Sequence, residues 1–304
     1  MGQFGCVIPL LLYTWHVSST RIISLLNQKG GVGKTTTTVN LASALSAAGQ
    51  RVLVIDLDPQ THLGLHFGID EASVSVYDLL IEEDATVAQA RVNARHNIDL
   101  VTSEVDLAAA ESELASKTDR NDLLKDKLSK IQSEYDFILI DCPPSLGLLT
   151  INALVASNEL IVPMQAHFLA LQGVSRLFET VSLLADGINP DLMVSGVVLC
   201  MFESQTNLAR EVVTDLTDFF EASRDKQVPW RKCKILDPPI RRNVKLAEAP
   251  SFGQTIFDYE PNCAGAEDYK KLAASVMGLK TTESSQIIDI KTAEELGEPV
   301  TNDQ

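Results

Sequence analysis

No two of the five cysteines (Cys6, Cys142, Cys200, Cys233 and Cys263) stand in a CxxC pair. That spacing argues against a zinc ribbon or a disulfide framework and leaves scattered thiols, read as reduced and cytosolic. No stretch approaches the roughly 20 apolar residues needed to cross a bilayer. The apolar run CVIPLLLYTW at 6–15 has no Lys or Arg before it and no clear small-residue cleavage site, which argues against a secretory signal. Residues 1–19 are read as a disordered extension or as the product of a start codon set too early, with translation beginning near Val17. Positive charge is scarce as well: 25 Lys and Arg stand against 41 Asp and Glu, a net charge of −16. Taken alone, that sign argues against a nucleic-acid partner. The acid is spread unevenly, however. Residues 281–304 hold six acids and one base and read as an acidic flexible tail of net −5, so the −11 left on the remainder still permits a local basic patch.

What is present is apolar and periodic. A hydrophobic content of 45% is enough to bury a sizeable core. Six runs rich in Ile, Val and Leu fall at 21–26, 51–56, 98–103, 136–141, 159–163 and 194–201. They are apolar almost throughout rather than alternating, which predicts strands covered on both faces. Helical spacing predicts helices over 35–48, with Gly49 closing the first, and near 105–132, 169–185 and 207–222. Strand and helix in alternation predict an α/β fold: a doubly wound, mostly parallel sheet flanked by helices, occupying 20–280.

The chemistry starts at the end of the first strand, in NQKGGVGKTTTT (27–38). Gly30, Gly31, Val32, Gly33, Lys34, Thr35 and Thr36 form a glycine-rich turn running into a helix. Such a turn points N–H groups at phosphate oxygens, and the helix dipole reinforces them. Lys34 is placed to reach the β- and γ-phosphates of a nucleotide and the Thr35 hydroxyl to hold Mg²⁺. The strict phosphate-loop pattern asks for Gly at position 28, where this chain has Gln28, and a second lysine, Lys29, stands five residues before the first. Asp56 and Asp58 end the second strand, at the edge where open α/β sheets gather ligand groups. Four apolar residues before Asp141 give a buried strand ending in a carboxylate suited to Mg²⁺. Cys142, beside it, reads as a small buried hydrophobe.

KGGVGKTT resembles the deviant Walker A motif of the ParA/MinD family of dimeric ATPases, and RVLVIDLDPQTH, DCPPSLGLLTINAL, MFESQTNLAREVV and NVKLAEAPSFGQTIFDY resemble its ParA/Soj branch. The resemblance spans about 20–280 with its motifs in order. It implies a P-loop ATPase that binds ATP and Mg²⁺. Lys29 would be the signature lysine that crosses a homodimer to the partner's nucleotide, acting with Lys34 and Asp58 in catalysis. Asp58 would orient or activate the attacking water and joins Thr35 and Asp141 among the metal candidates, and Asp56 would support them. Met201 and Pro239 are the candidates for the adenine pocket. The family usually has Pro-Arg-Asn where this chain has Arg241-Arg242-Asn243, so the base pocket departs from the pattern.

One stretch runs against the overall charge. Between 224 and 245, Arg224, Lys226, Arg231, Lys232, Lys234, Arg241, Arg242 and Lys245 stand against Asp225 and Asp237, a net of +6 with Trp230 embedded. Charge alone fits either a solvated basic loop or a surface for DNA phosphates. The resemblance implies the second: ATP-bound ParA dimers coat double-stranded DNA nonspecifically and are stimulated by a ParB-like protein. The acidic tail lacks the basic amphipathic helix of the membrane-bound MinD branch, so no membrane partner is expected. The resulting expectation is a cytoplasmic chromosome- or plasmid-partitioning ATPase, nucleoid-associated when ATP-bound. The alternatives are a ParA-like nucleotide-gated scaffold for a protein cargo and a MinD-like cell-division ATPase.

Overall fold

Each apolar run settles as a strand because both of its faces are covered. In the computed structural model, which describes residues 19–69, 72–168 and 170–279, these strands are β1 (Arg21–Leu25), β2 (Val52–Asp56), β4 (Ile98–Val101), β5 (Phe137–Asp141), β6 (Glu159–Met164) and β7 (Met193–Leu199). A further strand, β3 (Arg91–Arg95), completes a seven-stranded sheet of order β3-β4-β2-β5-β1-β6-β7. Every pair is parallel except β3 with β4. The expected fold is therefore the observed one. The readings of residues 1–18 and 281–304 lie outside the described residues.

The helices are α1 (Lys34–Ala47), α2 (His62–Phe67), α3 (Val76–Ile81), α4 (Val87–Ala90), α5 (Leu107–Leu114), α6 (Leu123–Ser129), α7 (Leu148–Ala156), α8 (Ala170–Gly187), α9 (Asn207–Glu221), α10 (Val244–Glu248), α11 (Ile256–Tyr259) and α12 (Ala264–Met277). One face of the sheet packs under α3 and α5 to α9, and the other under α1, α2 and α12. Helix α1 ends one residue earlier than expected: Ala48 caps it, and Gly49 at φ +80° lets Gln50 donate its N–H back to the Leu45 carbonyl at 3.0 Å.

Two expectations about elements change. The stretch near 105–132 is two helices, because Asn152 of α7 reaches into it. Its side-chain amide donates to the Arg120 carbonyl (2.7 Å), and its oxygen accepts the Leu124 N–H (3.2 Å), capping a new helix at that point. The second is β3, a polar edge strand that the apolar pattern passes over. Among the described residues Cys142, Cys200, Cys233 and Cys263 are free thiols. Cys142 is fully buried, and burial pushes its thiol well above the usual range. No described helix is long and apolar enough to cross a membrane.

Candidate nucleotide site

Because the sheet is parallel, the C-terminal ends of β1, β2, β5, β6 and β7 open onto one edge, and the motif residues meet there. The turn after β1 needs its glycines. Gly31 and Gly33 sit at φ +70° and +94°, in the left-handed region that favours glycine. A Cβ on Gly33 would also stand 3.3 Å from the Cys200 Cβ. Gly33 leads into α1 with no side-chain cap and no acid in the first turn, so the helix offers its N–H groups to an anion. Lys34, the first residue of that helix, is buried.

Asp141 lies against this turn. The Thr35 hydroxyl donates to its Oδ2 at 2.7 Å, and the Thr38 hydroxyl lies 3.2 Å from its Oδ1. Pairing of β2 with β5 sets Asp56 directly beside Asp141. Both carboxyls are fully buried. Burial pushes Asp141 up to about 6, against the pull of Thr35, Lys34 and Thr38. Burial first, and then the charge of Asp141, raises Asp56 well above the carboxylate range. Asp56 accepts the N–H groups of Asp58 (2.9 Å) and Leu63 (3.2 Å), so it shapes the loop that presents Asp58.

A cleft of about 570 Å³ joins these parts. Of the candidate site residues, Gly30, Gly31, Gly33, Lys34, Thr35, Thr36, Asp58 and Met201 line it. Its wall also contains Gln60, His62, Leu65, His66, Pro144, Pro250 and Ser251, which no motif singled out. Thr38 was missed as well, since a threonine one turn into a helix reads as ordinary helix. Val32 is buried behind the loop. Pro239 is not among the lining residues; its neighbour Ile240 donates its N–H to Leu199, holding that segment alongside β7. Gln165 bridges the two sides, its amide donating to the Gly31 carbonyl at 3.1 Å and contacting the Met201 sulfur at 3.2 Å.

Lys29 is exposed and lies outside this cleft. It borders a smaller apolar hollow of about 240 Å³ with Val162, Met164 and the exposed Phe168. Among the described residues, no acid pairs with its ammonium group.

The basic stretch is divided between the two ends of the sheet. Val194, near the start of β7, donates to the Pro229 carbonyl, which places Arg224, Lys226, Arg231 and Lys232 at the edge opposite the cleft. Phe202, past the end of β7, bridges to Arg241, which places Arg241, Arg242 and Lys245 at the cleft edge. Several of these cations are already occupied. Arg241 grips the buried Asp268 through two guanidinium nitrogens (3.0 and 2.7 Å), Arg242 meets Glu203 (3.2 Å), Lys245 meets Glu248 (2.9 Å) and Arg224 meets Glu221 (2.6 Å).

Comparison with known proteins agrees with this geometry. The AAA domain family matches residues 20–194. The chain is 43% identical over 258 residues to the sporulation initiation inhibitor protein Soj of Bacillus subtilis, covering 84% of this chain and 98% of that one. It is 39% identical to the chromosome partitioning protein ParA of Myxococcus xanthus, over 87% and 90% of the two chains. Among solved structures, cobyrinic acid a,c-diamide synthase from Mycobacterium smegmatis, with bound ATP analogue and magnesium, superposes with a TM-score of 0.70 at 35% identity, over 85% of this chain and 94% of that one. The septum site-determining protein MinD of Pyrococcus horikoshii, complexed with Mg-ADP, superposes at 0.66 and 26% identity, over 84% and 96%. The glycine turn, the paired strand-end aspartates and these matches together place the chain in the AAA domain family, within its ParA/Soj group of partitioning ATPases.

Proposed function

We propose that the chain binds ATP with Mg²⁺ in this cleft and hydrolyses it as a chromosome- or plasmid-partitioning ATPase. Its ATP-bound form pairs with a second copy and holds duplex DNA without reading the sequence. A ParB-like partner speeds hydrolysis and returns the pair to monomers, so the protein works at the nucleoid in the cytoplasm.

The observation that carries this is the hydrogen bond from Thr35 to Asp141, beside Lys34 and across one cleft from Asp58. The donor set fits the proposed ligands. Hydroxyl and carboxylate oxygens suit a hard divalent cation, and the uncapped start of α1 suits a phosphate chain. When bound, magnesium supplies neutralising charge at the phosphoryl oxygens. Thr35 and Asp141 would hold it, with Thr38 keeping Asp141 turned toward it. Lys34 stabilises charge developing on the transferred group, and Asp58 orients the attacking water and draws on its proton. Lys29, which lines no part of its own cleft, is free to reach a second protomer and act there as an arginine finger does.

Light scattering with ADP and with ATP, paired with turnover measurements with and without DNA, tests this reading. Wild type is expected to be monomeric with ADP and dimeric with ATP. Lys34→Ala should lose nucleotide, and Asp58→Ala should dimerise and stall on DNA. Lys29→Ala should bind ATP yet stay monomeric; normal dimerisation of that variant would remove the trans-acting lysine.

A further inference from the structure

Phosphates, metal and attacking water are each provided for without His66. Helix α2 carries His62 and His66 one turn apart, and both line the cleft with Asp58 and Gln60. His66 is only 7% exposed, yet among the described residues no protein group hydrogen-bonds its ring. The ring nitrogens are not sealed in the core: the part of His66 left accessible lies on the wall of the cleft, so the ring is open to whatever enters there. Burial, and then the neighbouring His62, lower its pKa to about 4. At neutral pH the ring is therefore uncharged, with one N–H donor and one acceptor nitrogen.

Its position is fixed from both ends of the short helix. At the start, Asp56 accepts the Leu63 N–H with one oxygen and the Asp58 N–H with the other, so one carboxylate sets both Asp58 and the turn that leads to His66. At the end, Gly68 closes the helix at φ +68° and packs backbone to backbone against Gly253. Arg95 locks that junction, donating to the carbonyls of Phe67 at 3.0 Å and Gly253 at 3.1 Å. With the helix backbone pinned at both ends, the ring is carried on a fixed part of the cleft wall.

We propose that His66 is a further substrate-contacting residue of this cleft: its imidazole donates an N–H to an oxygen of the terminal phosphoryl group, so the site distinguishes a nucleoside triphosphate from a diphosphate. The inference rests on the reading of the cleft as an ATP site. Its chemical sense lies in the division of labour. The glycine turn and Lys34 serve phosphates that ADP also carries, whereas α2 follows Asp58 closely in the chain and lines the same cleft, on the side to which the proposed reading assigns the attacking water and the last phosphoryl group. A neutral donor there adds a directed hydrogen bond without a further positive charge to compete with the metal.

The test is NMR of the full chain labelled with ¹⁵N in backbone and imidazole, titrated with Mg²⁺ plus either ADP or the non-hydrolysable analogue AMPPNP. Both nucleotides should move the Gly31 and Gly33 amides, and only AMPPNP should move the His66 ring nitrogens. His66→Gln, which keeps a donor, should hold the preference for AMPPNP over ADP within about twofold. His66→Phe should lose it by roughly three- to tenfold, the range of one neutral hydrogen bond, with ADP affinity unchanged. Equal ring shifts with the two nucleotides, or a His66→Phe protein with the wild-type preference, would overturn the proposal while leaving the ATP site standing. If neither nucleotide moves the Gly31 and Gly33 amides, the ATP site itself is lost, and His66 with it.

Discussion

Asp141 carries two opposed demands. To hold a metal it must be ionised, yet it is fully buried beside a second buried carboxyl, and its pKa is pushed from 3.8 up to about 6. The folded protein therefore binds this proton more tightly than the unfolded chain. Stability falls as the pH rises from about 4 to about 6 and stays lowered above that range. Holding the carboxyl ionised in the fold is therefore unfavourable at neutral pH, because burial disfavours its charge. Asp141→Asn should consequently melt several degrees higher than wild type at pH 7.5. The gain should shrink as the pH falls from 6 toward 4, and ATP turnover should drop at least about a hundredfold. Thermal melts across that pH range, alongside turnover, check both halves, and a variant that melts below wild type at pH 7.5 would refute the account. Lys34, Thr35, Asp58 and Asp141 were legible in the sequence because their motifs bring a backbone conformation with them, as the left-handed Gly31 and Gly33 attest. The placement of Thr38 and His66 beside this site was not, because it depends on helix phase and on strand ends that meet only in three dimensions.

At the scale of elements, apolar runs marked every strand whose two faces are covered. They missed β3, whose sequence RVNAR is polar because it lies at the sheet's edge. That edge strand nevertheless supports the site. Arg95 reaches from it to Asp258 (3.0 Å), Phe67 and Gly253, tying α2 to the 3-10 turn Ala249–Phe252, and both of these line the cleft. Removing the guanidinium leaves three carbonyls, those of Phe67, Ala94 and Gly253, and a carboxylate without that donor. Arg95→Ala should lower stability by about 1–3 kcal/mol and raise the KM for ATP severalfold, because the cleft wall loosens with the junction. A lower melting temperature with unchanged KM would show that the junction serves only the fold. The break between α5 and α6 falls in the polar stretch SKTDRND at 116–122, and Asn152, distant in sequence, makes the cap.

At the scale of the whole molecule, the sheet separates what the sequence places together. The basic stretch reads as one patch, but β7 runs between its halves and puts them at opposite edges. On the proposed pairing through Lys29, two protomers would join near the cleft edge, and only cations at that edge would come together when ATP is bound. Arg241 is engaged with Asp268, and its removal would leave a buried charge unpaired, a lesion of the fold rather than of DNA binding. Arg242 is the better probe, since its side chain is 70% exposed and its ion pair among the described residues is with an exposed Glu203. Arg242→Ala should weaken ATP-dependent DNA binding for all sequences alike. It should also reduce the slope of log affinity against log salt by about 1 for each phosphate that the arginine neutralises. The combined change Lys226→Ala, Arg231→Ala and Lys232→Ala, at the far edge, should leave the ATP-dependent part of binding unchanged. Titrating duplex DNA at several salt concentrations, with ATP and with ADP, separates the two. If the far-edge variant loses the ATP-dependent component and Arg242→Ala keeps it, DNA does not lie along the paired edge, and pairing would have to act on DNA by a change within each protomer.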